Sequence, residues 1–288
     1  MKKRYSLLVF ILFNICLYAQ LPNTDIWLLD IKTTNDSIIL SNPVNITNRD
    51  GYDNQPAFSA DGKYILYTSI RDSKQSDVFK YNLTTKSITQ ITNTPTSEYS
   101  PTFIPDEKKV SVVTVEQDST QRVWSLPIDG GKSSVLIKNV DSVGYHTWLN
   151  NTALFMFLLP EPFKLYLVDR KTGTKIFIND SIGRCFKNYQ EMLLYVKKSE
   201  NNINKLWLYN LSGQKSWSTK TTIEGEDFTI INNDIMWTHD SKIYLSSIYN
   251  DNRKLLIDLA NYNIKNITRI SFDFLNDKIA IVAESKWR

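Results

Sequence analysis

The sequence predicts an all-β chain, a six-bladed β-propeller of four-stranded antiparallel blades, and two repeated series of residues carry that prediction. The first is a triplet of a charged, an aliphatic and an aromatic residue, at Asp25-Ile26-Trp27, Asp77-Val78-Phe79, Arg122-Val123-Trp124, Lys164-Leu165-Tyr166, Lys205-Leu206-Trp207 and Lys242-Ile243-Tyr244. Its aromatics lie 52, 45, 42, 41 and 37 residues apart, near the period of about 40 to 50 expected of propeller blades. The second series is Phe58, Phe103, Trp148, Phe186, Phe228 and Phe272, at spacings of 45, 45, 38, 42 and 44. Two independent registers thus agree on one repeat. No segment sustains the 3.6-residue apolar period of a helix.

Within each repeat the second series heads an inner strand. An apolar strand follows about nine residues later, as in Tyr64-Ile65-Leu66-Tyr67, Leu154-Phe155-Met156-Phe157 and Ile279-Ala280-Ile281-Val282. These runs are short, rich in β-branched and aromatic residues and bounded by polar turns, which marks them as strands. The charged triplet forms the third strand. A fourth ends near a threonine, at residues 88–92, 175–178 and 264–268. A lone sheet of this kind would expose apolar surface on both faces, so neighbouring blades must stack. The chain begins with a third strand, residues 25–31, and ends with a first and a second, residues 270–283. A composite blade built from both ends is therefore expected to close the ring and pair its edges.

Ahead of the repeats, Lys2-Lys3-Arg4, an apolar stretch from Ser6 to Tyr18 and the small residue Ala19 read as a signal peptide over residues 1–19. Residues 20–288 are then a single exported domain, periplasmic or at the cell surface, with no transmembrane segment after cleavage. Three of the positive charges behind the net +4 belong to the leader, so the mature chain is nearly neutral at about +1. Its Lys and Arg are scattered among Asp and Glu, which argues against a nucleic-acid partner. Cys16 lies in the leader and Cys185 stands alone, so no internal disulfide is expected and stability must come from burial. A hydrophobic content of 42% supplies the core.

The stretch Asn45-Ile46-Thr47, Gln55-Pro56-Ala57-Phe58-Ser59-Ala60-Asp61-Gly62-Lys63, then Tyr64 to Ser69 and Asp77-Val78-Phe79 resembles the WD40-like repeat of TolB-type propellers. The next repeat, Ser100-Pro101-Thr102-Phe103-Ile104-Pro105-Asp106, keeps both prolines. The resemblance covers the propeller alone, without the N-terminal domain of TolB. It implies an exported propeller that binds proteins or cell-envelope components.

Asp61, Asp106, Asn150, Asn233 and Asp277 all fall between first and second strands, where turn geometry explains them. The residues just before each first strand are different, since those strands line the central channel and their starts converge at one mouth. There lie Asp53, Asn54, Gln55, Tyr99, Tyr145, His146, Arg184, Glu226, Asp227 and Arg269, which form the expected binding site. The leading reading is a monomeric, non-enzymatic binding or scaffold protein with no cofactor, engaging a protein or envelope partner. The alternative is a lactonase-like propeller hydrolase with a channel metal. Calcium would need six to eight oxygen ligands, for which Asp53, Asn54, Glu226 and Asp227 are on offer, while Arg184 and Arg269 oppose a cation. No catalytic residue is assigned. Trp217 and Trp287 stand outside the repeats, with local packing as the leading reading and a role as exposed partner anchors as the alternative.

Overall fold

The computed structural model describes residues 22–285 apart from 35–36, 72–74, 107, 202, 274 and 276. The leader and Trp287 lie outside the described residues. The chain opens with β1 (Thr24–Thr33) and β2 (Ile38–Asn45). Next come β3 (Tyr52–Phe58), β4 (Tyr64–Ile70), β5 (Asp77–Asn82) and β6 (Ile88–Gln90), then β7 (Ser97–Phe103), β8 (Lys109–Val115), β9 (Gln121–Pro127) and β10 (Ser134–Val135). They are followed by β11 (Val143–Trp148), β12 (Ala153–Leu158), β13 (Lys164–Asp169) and β14 (Lys175–Asp180), and by β15 (Ile182–Tyr189), β16 (Met192–Lys197), β17 (Ile203–Asn210) and β18 (Lys215–Glu224). The last are β19 (Phe228–Ile231), β20 (Asp234–His239), β21 (Lys242–Ser247), β22 (Arg253–Asp258), β23 (Arg269–Asp273) and β24 (Lys278–Glu284).

Each run of four consecutive strands from β3 onward forms an antiparallel sheet. The remaining four pair in the order β23, β24, β1, β2, because β24 runs antiparallel to β1 from Thr24 against Glu284 to Asp30 against Lys278. One parallel bridge, Thr24 to Tyr52, ties this composite sheet to β3.

The triplets all fall on third strands, and their middle residues are the ones that enter the core. Ile26, Val78, Leu165, Leu206 and Ile243 are fully buried and Val123 nearly so. The aromatic beside each points to the other face, as strand alternation demands, and several of these rings are covered by cations. Arg71 lies 4.0 Å from the Phe79 centroid and Lys197 5.4 Å from that of Trp207. Second strands are buried on both faces, β4 and β12 almost throughout, which is why they read as unbroken apolar runs.

Six hydrophobic clusters are present among the described residues, and each joins two successive sheets. Ile26 and Val282 meet Ile65 and Tyr67, Leu66 and Val78 meet Val112 and Leu126, and Val113 meets Trp148 and Met156. Phe155 and Leu165 meet Phe186 and Leu193, Leu194 and Leu206 meet Phe228 and Trp237, and Met236 and Ile243 meet Leu29 and Ile279.

Two expectations need correcting. Residues 264–268 do not form a fourth strand: β22 takes that place against β21, while Ile264 and Ile267 plug the cluster against the composite sheet. The aromatics Phe58, Phe103 and Trp148 end their first strands rather than head them. These first strands begin several residues earlier, and β3 and β7 are bulged, with register breaks between Asn54 and Ala57 and between Tyr99 and Thr102. At these bulges Gln55 and Ser100 take left-handed conformations with φ of 58° and 51°.

Candidate functional site

First strands of successive sheets run side by side, β3 with β7, β7 with β11, β11 with β15, β15 with β19, β19 with β23 and β23 with β3. Between them lies a cavity of about 260 Å³, lined by residues of five of these strands and by Asp227, which precedes the sixth.

Asp227 and Arg269 are its charged centre. Asp227 is buried, and its two oxygens accept bonds from Arg269 Nη1 at 3.3 Å and from the Ile270 backbone N–H at 3.1 Å. Arg269 Nη2 donates to the Tyr145 hydroxyl at 3.1 Å, and the guanidinium carbon lies 5.1 Å from the Tyr145 ring centroid. Burial works against the charge on Arg269, yet Tyr145 and Asp227 outweigh it and hold its pKa above the usual arginine range. Tyr52 is pushed up to about 12, by burial first, with Arg269, Tyr145, Tyr99 and Arg184 in its electrostatic surroundings.

On the opposite wall, His146 is buried and its Nε2 shares a 2.7 Å hydrogen bond with Ser111 Oγ, which also accepts from Trp148 Nε1 at 2.9 Å. Burial lowers the His146 pKa to about 4, so the imidazole is neutral at physiological pH. Cys185 donates its S–H to the Phe228 carbonyl at 3.3 Å, and burial lifts the thiol to about 12. Arg184 reaches across to the Thr268 carbonyl through Nη2 at 2.8 Å.

Six of the ten expected residues line the cavity: Gln55, Tyr145, His146, Arg184, Asp227 and Arg269. Gln55 also stitches two sheets, since its Oε1 accepts from Thr68 Oγ1 at 2.8 Å and from the Ser100 N–H at 2.7 Å. The other four serve elsewhere. Asp53 is fully buried in an ion pair with Arg49 at 3.0 Å, its pKa raised by burial. Asn54 accepts the Gln55 N–H at 2.8 Å. Tyr99 packs on the cluster between the second and third full sheets' neighbours, Val113 and Trp148 among them. Glu226 accepts the Arg184 N–H at 3.1 Å and pairs with Lys198 at 3.0 Å. Of the four oxygen donors weighed for calcium, only Asp227 therefore faces the cavity, and it is occupied by Arg269. Among the described residues no three His, Cys, Asp or Glu side chains converge as a metal site.

Sequence reasoning missed Lys187 and Ser271, which also line the cavity, and Tyr52. Tyr52 adjoins the recognised Asp53, and Lys187 follows Phe186, so both stood one residue from a marker that was in view.

No family model matches the sequence, and no curated protein does. Among solved structures, the putative TolB from Agrobacterium tumefaciens superposes with a TM-score of 0.69 at 14% identity, covering 93% of this chain and 100% of that one. The fold is that of a TolB-type β-propeller. This TolB-like architecture is shared more loosely with a structure of the nidogen/laminin complex, at a TM-score of 0.57, 11% identity and coverage of 78% and 89%. An oligogalacturonate lyase in complex with manganese reaches 0.52 at 10% identity, covering 86% and 82%. At these identities the likeness is one of fold. No helix among the described residues is long and apolar enough to cross a membrane.

Proposed function

We propose that residues 20–288 are a six-bladed, monomeric TolB-like propeller, closed into a ring by its composite sheet, that is exported and binds a protein or cell-envelope partner at the cavity mouth without chemical turnover. The six inter-sheet clusters, one for each pair of neighbours in a cycle, support the ring. The leader read over residues 1–19 supports export.

One observation carries the absence of turnover: of the groups in the cavity that could act as acid, base or nucleophile, the carboxylate, the imidazole Nε2 and the thiol are already committed. Asp227 is held by Arg269 and Ile270, His146 by Ser111, and Cys185 is a protonated thiol bonded to a carbonyl. A general base needs a free lone pair within reach of its substrate and a pKa near the working pH, and neither His146 nor Cys185 meets the second condition. The nidogen/laminin neighbour, a complex of proteins, agrees with a binding role for this fold.

The second reading, an enzyme with a channel metal, draws on the lyase structure with manganese. Metal analysis of the purified protein, followed by melts with calcium, manganese and a chelator, separates the two. We expect no stoichiometric metal and no displacement of the melting temperature. Stoichiometric metal together with a large loss of stability on chelation would overturn the binding reading.

A further inference from the structure

Three of the four charged side chains that line the cavity are cationic, namely Arg184, Lys187 and Arg269, and only Asp227 is acidic. Asp227 neutralises Arg269 through the bond already described. Among the described residues Arg184 has one side-chain bond, to an uncharged carbonyl, and its Nε is buried without a partner. Glu226, its acidic neighbour, is bonded to the Arg184 backbone and to Lys198 and lies outside the cavity lining. The ammonium of Lys187, a half-buried residue, makes no hydrogen bond or ion pair among the described residues. On the facing wall His146 Nδ1 is likewise buried with no partner among the described residues. The cavity thus holds two positive charges with no directly bonded carboxylate, Glu226 acting on the Arg184 side chain through space alone, and unfilled hydrogen-bonding capacity.

A cation is disfavoured there and an anion is drawn in, since a concave site with low-dielectric walls concentrates the field of its charges. The resident Asp227 carboxylate selects among anions, because a second negative charge on the ligand would face it across the same small space. A singly charged carboxylate avoids that cost, and its two coplanar oxygens match the donor fork of a guanidinium. A volume of about 260 Å³ admits the tip of an acidic side chain.

Resting on the binding reading above, we propose that the cavity captures a carboxylate presented by the partner, with Arg184 as the principal contact and Lys187 and Arg269 supplying the attracting field. The blocked peptides Ac-Gly-Glu-Gly-NH2 and Ac-Gly-Gln-Gly-NH2, together with inorganic phosphate, are titrated into the purified protein at constant ionic strength and followed by calorimetry. Saturable binding is expected for the Glu peptide alone. Arg184→Gln should weaken it about ten-fold or more, the scale of a lost charge-assisted bond, with the melting temperature retained. Lys187→Gln, a substitution of a half-buried residue, should weaken it a few-fold and tests the site should the arginine variant fail to fold. Equal binding of the Glu and Gln peptides, phosphate binding as tight as the Glu peptide, no binding of any probe, or full retention in both variants would each overturn the proposal. Pull-down from the native envelope with wild-type protein and Arg184→Gln separates this failure from that of the parent reading. A partner held equally by both proteins would sink the carboxylate contact and leave the binding role standing. Peptide binding without any captured partner would do the reverse.

Discussion

His146 shows what burial does to a single residue. In the sequence it is one of two histidines, stands at a channel-mouth position and lies in no metal-ligand spacing. Its burial and its bond to Ser111 make it a structural imidazole whose pKa falls to about 4. In the unfolded chain it titrates near 6.5, so below that pH the unfolded state binds a proton that the folded state refuses. Its contribution to stability is present above about pH 6.5 and is lost as pH falls towards 4, by up to about 3 kcal/mol. Denaturant melts across that window should show the loss, and His146→Gln should flatten it; an unchanged pH profile in the variant would count against this assignment. Asp53 makes the complementary case. It read as a site residue, yet Arg49 holds it with no exposed surface. Arg49→Ala strands a buried carboxylate, and a destabilisation of about 3–5 kcal/mol in urea melts is expected. Asp53→Asn in the same background should recover part of it.

At the scale of elements, third strands were the clearest signal because their chemistry is local: an aliphatic residue packs inward while its aromatic neighbour turns outward. Fourth strands were the least legible. Apolar residues on them are often exposed, as with Phe177, Leu255 and Trp217, the last 44% exposed on β18, so no alternation separates strand from loop. Trp217 is thus an outer-strand residue. The composite sheet rests on β24, whose pairing with β1 joins residues at opposite ends of the chain. Deleting residues 270–288 removes β24 and nearly all of β23, strips Ile279 and Ile281 from their cluster, and leaves β1 with an open edge. Size-exclusion chromatography and thermal melts of the truncated chain should show self-association and a much lower melting temperature. A monomer that melts like the full chain would refute closure through this sheet.

For the whole molecule, charge is distributed unevenly with depth. The chain is close to neutral once the three basic residues at positions 2–4 are set aside, which argued against a strong electrostatic partner. The cavity nevertheless carries a local excess of positive charge that overall composition cannot register. Function at this scale depends on what reaches the first strands, and the proposed carboxylate contact makes Arg184 the residue on which recognition turns. Most of the fold was readable, whereas of the ten residues expected at the channel mouth six line the cavity and four serve other bonds or packing.

The sequence by itself determined the repeat, the strand content and the identity of the buried aliphatic in each third strand. Those properties follow from side-chain alternation over a few residues and from a packing unit that recurs about every forty residues. Only the tertiary structure decided which polar side chains meet. Arg269 finds Tyr145 at a separation of 124 residues and Asp227 at 42, and the bulges at Gln55 and Ser100 set which of the neighbouring side chains turn towards the cavity. Such convergence arises from the way separate sheets are placed about a common axis, a long-range geometry that no local pattern of residues encodes.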